Sequence, residues 1–170
     1  MNRHLSKVLA LLLFATGSVA GEPAKLVPKP HIFPLQIDDA ITFRKTKIFL
    51  NDPLIQKPSQ DDMLNFERLH TNFGAVTGYD RQQRYGSYYT FFWRATRRAD
   101  VTLRFEYRQE KLGAFVQAQE RTYPAAKGNF ESKFAVIGDD YNNEGKVTSW
   151  RAIVIEDGKI VALNQSFLWR

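Results

Sequence analysis

Apolar and polar residues alternate without a break from Val101 to Arg108, with Val, Leu, Phe and Tyr at odd positions and Thr, Arg, Glu and Arg at even ones. A period of two is that of an extended strand with one buried and one wet face. It predicts Leu103, Phe105 and Tyr107 inside and Arg104, Glu106 and Arg108 in solvent. Similar segments flank this one: Ser87–Thr96, Gly113–Tyr123, Phe130–Ile137, Lys146–Ile155 and Lys159–Trp169. Arg97–Asp100 reads as a turn between strands and Pro124–Asn129 as a loop. Glu156-Asp157-Gly158-Lys159 reads as a tight hairpin, because Asp-Gly tolerates positive φ. With Leu69–Thr77 counted as a strand, the spacing predicts an all-β fold, an immunoglobulin-like antiparallel β-sandwich of about seven strands.

The same alternation nominates a core of Phe91, Trp93, Leu103, Phe105, Tyr107, Val116, Phe134, Val136, Trp150, Val154, Leu163 and Phe167. The last two strands carry apolar residues on both parities, so both of their faces are expected to be covered. Upstream, Ile41–Leu50 is a basic strand candidate. Ser59-Gln60-Asp61-Asp62 followed by Met63, Leu64, Phe66 and Leu69 supports two readings, a capped helix or an extended run into Thr77. The extended run is preferred.

The first twenty residues read as a secretory leader. Arg3 and Lys7 make the basic end, Val8–Ala15 the apolar run, and Ser18-Val19-Ala20 the small-x-small site before Gly21. That run is about eight residues, against the roughly 20 a membrane-spanning helix needs. No membrane-spanning segment is expected after cleavage. Residues 21–40 hold Pro23, Pro28, Pro30 and Pro34, the composition of a tether. The expected organisation is a leader at 1–20, a tether at 21–40 and a sandwich domain at 41–170, in an exported protein, periplasmic or extracellular.

Composition narrows the chemistry. With no cysteine, thiolate metal sites and cysteine nucleophiles are excluded. Burial of thirteen Phe, seven Tyr and three Trp must supply the stability that disulfides give many exported domains. The formal net charge of +6 falls by two with the leader, too little to compel a polyanionic partner.

Several segments also resemble a known group. Phe91-Phe92-Trp93-Arg94, Val101 to Gln109, Gly138-Asp139-Asp140-Tyr141, Val147-Thr148-Ser149-Trp150-Arg151 and Ser166-Phe167-Leu168-Trp169 resemble small exported bacterial proteins with an immunoglobulin-like or fibronectin type III-like fold. The resemblance spans about residues 50–170. It implies that fold and a cell-envelope location, and it carries over no functional residue.

Catalysis finds little support. A hydroxyl nucleophile needs a base within hydrogen-bond reach, and beyond the leader only His31, in the tether, and His70 remain. No catalytic residue and no cofactor is therefore assigned. The serious enzymatic alternative is a carboxylate-dependent glycan hydrolase using Asp139 or Asp140. The segment Asp139-Asp140-Tyr141-Asn142-Asn143-Glu144 gathers oxygen-bearing side chains, so Asp139, Asp140, Asn142 and Glu144 are candidate calcium ligands. The same residues also make an ordinary solvated turn, which is the reading preferred. Bases outnumber acids between Arg81 and Arg121, with aromatics among them. Charged strand faces and export argue against a nucleic-acid partner. Tyr88 and Phe92 fall on the face opposite Tyr89, Phe91 and Trp93, and are the candidate ligand-binding residues for a glycan. Ile41–Leu50 could instead cover them, which is the reading preferred. The function expected is a non-catalytic binding or structural role in the envelope, towards a protein or a glycan.

Overall fold

The turn signals at Arg97–Asp100 and Pro124–Asn129 do not end strands; they bend them. In the computed structural model, which describes residues 25–26, 33–52, 54 and 60–169, β3 (Gly86–Gln109) and β4 (Gln117–Ile137) each pass through these points unbroken. The pair forms one long hairpin with register shifts between Ala95 and Val101. At the elbow the small residues Ala95, Ala99 and Ala126 are buried. Ala125 and Gly128 turn the chain at φ of 50° and 108°, and the Asp100 carboxylate accepts from the Ala125 N–H at 2.6 Å.

The remaining strands add to this hairpin. β2 (Ile41–Asn51) pairs with the first half of β3, and β5 (Val147–Glu156) with the second half. β6 (Lys159–Gln165) continues beyond β5 through a turn in which Asp157 and Gly158 both take positive φ. β1, the pair Lys25–Leu26, lies against Glu120 and Gln119 of β4. All six described strands thus belong to one antiparallel sheet. It curls until β2 nears β6, where the Asn164 amide donates to the Thr46 hydroxyl at 2.6 Å.

The fold class is mostly β, as the alternation predicts, but the expected count of seven separate strands is corrected. An immunoglobulin-like sandwich of two sheets is not what forms: one sheet curls on itself, bringing the two halves of β3 into contact. Tyr89 and Phe91 from one half meet Phe105 from the other at 4.6 and 5.6 Å between ring centroids. Leu103, Tyr107, Phe134, Val136, Ala152 and Val154 fill the rest of the core. The buried Trp93 indole donates to Ser132 at 2.8 Å. Gly86 allows this packing at its end of β3: a side-chain carbon there would lie 2.2 Å from the Val136 carbonyl oxygen.

Other expectations change. Leu69–Thr77 is not extended: α1 (Asp62–Asn72) forms, with the Asp61 carboxylate accepting from the Met63 N–H at 2.9 Å. α2 (Gly78–Gln82) follows, opened by a capping box between Thr77 and Asp80. Arg104 and Glu106 are not in solvent but 3% and 2% exposed. Phe33 lies over Arg104, and Trp169 over Arg108 and Arg151, so segments before β2 and after β6 cover that face. Trp150 and Val116 are only half-buried, Leu163 is exposed, and Phe167 is 85% exposed.

The leader (1–20) and most of 21–32 lie outside the described residues. Of the expected tether, the backbone at Pro34, Gln36 and Asp38 hydrogen-bonds to Ile160 and Val161 of β6. Arg97 ties this arm down through Asp38 and Glu156. Among the described residues, no helix is long and apolar enough to cross a membrane.

Candidate functional site

The outer face of the first half of β3 follows from the pleat: with Tyr89, Phe91 and Trp93 inside, Tyr88, Thr90 and Phe92 point away from the core. Ile41–Leu50 does not cover them. It lies beside them in the sheet, placing Phe49 opposite Tyr88 and Thr46 opposite Phe91. α1 arches over this face instead. Between helix and sheet runs a groove of about 660 Å³ with Phe49, Tyr88, Thr90 and Phe92 on its floor. Phe66, Glu67, His70 and Thr71 form one wall, and Glu131, Lys133 and Ile137 of β4 lie on the other side. Tyr88 and Phe92, the two residues singled out from alternation, are both half-buried here.

Arg84 fixes the closed end. Its guanidinium donates to the carbonyls of Thr71 and Phe73, at 2.9 and 2.6 Å, which are groups a helix end leaves open. Its own carbonyl accepts from the Tyr88 hydroxyl at 2.8 Å and from the Asn51 amide at 2.9 Å. Burial pushes the Tyr88 phenol up to about 12, opposed by the Arg84 charge, so it is a neutral donor across the physiological range.

Both acids at the groove are paired with lysines, and Arg84, whose guanidinium donates to backbone carbonyls, adds one positive charge. Glu67 pairs with Lys47, and Glu131 with Lys133 at 3.0 Å. Phe66 and His70 stack with ring planes 10° apart. The groove thus offers aromatic faces, a threonine hydroxyl and alternating donors and acceptors, with charge of both signs and one base in excess. Such a surface suits a neutral ligand with an apolar side and hydrogen-bonding edges.

The acidic segment behaves differently from the expected turn. Asp139–Glu144 is a short helix, α3, whose Tyr141 is buried and donates to Asp52 at 2.9 Å. The Gln109 amide holds the Asp140 and Gly145 carbonyls, both at 2.9 Å. Asp139 accepts from the Gln83 side chain at 2.9 Å, and Asn142 donates to the Gln82 carbonyl at 3.4 Å. Asp140 is exposed and Glu144 half-buried. Among the described residues, no three His, Cys, Asp or Glu side chains gather as a metal site would need.

Sequence reasoning found the floor of the groove but missed its wall. Phe66 and His70 belong to the helix that was passed over, and its signal was Asp61 two residues before Met63. Arg84 had no signal of its own, since its partners are backbone carbonyls. Compared with known proteins, the chain matches no family model, no curated protein and no solved structure.

Proposed function

We propose that this is an exported, non-catalytic binding protein of the cell envelope whose groove under α1 takes a neutral glycan. One observation carries the reading: Tyr88 and Phe92 present aromatic surface in a groove whose two acids are each held by a lysine. Pyranose C–H faces pack on aromatic rings, while Thr90, His70 and the paired charges offer partners to the hydroxyls. With Glu67 and Glu131 engaged by lysines, the groove favours holding a sugar over hydrolysing one. The curled sheet acts here as immunoglobulin-like sandwiches do, as a rigid frame presenting a groove, which is an argument from analogy. Arg3, Lys7 and Ser18-Val19-Ala20 support export and cleavage before Gly21, and the resemblance to small exported bacterial proteins supports the envelope.

The test is calorimetric titration of the cleaved chain with a panel of neutral and acidic envelope oligosaccharides. A neutral oligosaccharide is expected to bind, and Phe92→Ala to weaken binding by about tenfold or more with an unchanged melting temperature. Binding that survives Phe92→Ala, or a preference for acidic sugars, overturns this reading. Recovery of the chain, starting at Gly21, in a soluble envelope or secreted fraction tests the export half.

A further inference from the structure

α1 is amphipathic the wrong way round. A surface helix ordinarily turns its apolar stripe to the core and its polar face to water. Here the half-buried positions are Asn65, Glu67, Arg68, Thr71 and Asn72, all polar. The exposed ones include Met63, Phe66, Leu69 and Phe73, continued by Val76 and Tyr79, each 67–82% exposed. No residue of the helix is buried. Polar contacts hold it to the sheet: Lys47 to Glu67, Asn51 to Asn72 at 3.1 Å, and Arg84 to the last carbonyls. The apolar stripe is therefore left facing outward, an arrangement typical of a surface that meets a partner.

We propose that the partner is a second copy of this chain, with the two α1 helices packed antiparallel across a two-fold axis through Phe66. The polar groups on the stripe select this occupant, a carboxylate that accepts and an imidazole N–H that donates. Asp62 stands in the first turn and His70 in the last, on the same side of the helix as Phe66. Antiparallel pairing about Phe66 sets Asp62 of each copy against His70 of the other, and Met63 against Leu69. Parallel pairing would set Asp62 against Asp62. An anionic lipid surface fits less well, because the stripe carries the Asp62 carboxylate and no lysine or arginine, Arg68 lying on the half-buried side. The interface is isologous, as closed dimers require; it shares Phe66 and His70 with the groove wall, whereas Met63 and Leu69 belong to the stripe alone.

The absence of cysteine gives a sharp test. On a two-fold axis at residue 66, Phe66→Cys brings two thiols together and is expected to give an interchain disulfide on oxidation. His70→Cys places them about eight residues apart along the helices, roughly 12 Å, beyond disulfide reach. Sedimentation velocity of the cleaved chain at tens of micromolar should show a dimer. Leu69→Asp, which leaves the groove lining intact, should weaken it by about tenfold or more with an unchanged melting temperature. A monomer at that concentration, a dimer indifferent to Leu69→Asp, or cross-linking at both positions overturns the proposal. Flotation of a monomeric chain with phosphatidylglycerol vesicles, lost in Leu69→Asp, would assign the stripe to membrane instead.

Discussion

Glu106 stands between two arginines on a face that alternation assigns to water. It pairs with Arg104 at 3.7 Å and with the Arg151 guanidinium, and Arg104 also reaches Glu120. Removing one member of a buried charge set leaves the others desolvated and unpaired. Glu106→Gln is therefore expected to cost about 3–5 kcal/mol, read as a fall in the urea midpoint. Glu131→Gln, which breaks the exposed pair with Lys133, should cost under about 1 kcal/mol. Equal losses would show that burial does not set the difference. Alternation got the pleat right here and the environment wrong, because the cover comes from Phe33 and Trp169, far away in sequence. A second prediction concerns alkaline pH. Burial raises Tyr88 to about 12 and also raises Tyr89, Tyr107 and Tyr141. A phenol that ionises later in the folded chain than in the unfolded one stabilises the fold fully below its unfolded value of 10.0. That contribution is lost as pH rises towards about 12. The urea midpoint should thus fall across this window, and less steeply in Tyr88→Phe.

Elements form here where local signals and distant contacts agree, and α3 is a case where the local signals were present but outvoted. Asp139 and Asp140 complement the start of a helix, while Gly138 and Gly145 bracket it at φ of 63° and 83°. In sequence these features resemble an Asp-Gly-rich turn, and distant contacts separate the two, Tyr141 donating to Asp52 and the Gln109 amide holding the Asp140 and Gly145 carbonyls. Tyr141→Phe should accordingly cost about 1–3 kcal/mol, since Asp52 is buried and loses that donor. Calcium should leave the melting temperature unchanged. A genuine site at a hundredfold excess over its Kd would add about 2.7 kcal/mol and raise the melting point by on the order of 5 °C. Such a rise, removed by Asp139→Asn, would make α3 a metal site. For α1, Asp61 caps the helix in the structure, although the same residues read equally well as an extended run. Its exposed apolar stripe gives no clue from the sequence alone, because a pattern of periodicity does not say which face meets the sheet.

For the whole molecule, the decisive feature is that one bent hairpin wraps most of the core. Alternation cannot distinguish a strand that ends at Arg97 from one that bends there, since Ala95, Ala99, Ala126 and Gly128 matter only once β3 and β4 are paired. This architecture orders the folding events. β3 and β4 are joined by a short connection, whereas β2 must close over the whole α1–α2 segment to reach β3, and loop closure opposes long-range pairing until contacts reward it. The hairpin is thus expected in the transition state, and β2 to dock afterwards. Two half-buried rings report on the two steps. Phe130 stacks on Trp93 at 4.5 Å within the elbow, while Phe43 of β2 meets Phe91 edge-on at 6.1 Å. Phe130→Leu should slow folding in stopped-flow tryptophan fluorescence, with a φ-value of about 0.5 or higher. Phe43→Leu should leave the folding rate nearly unchanged and speed unfolding. The opposite assignment, with β2 carrying the high value, would mean that the sheet closes on β2 before the hairpin bends.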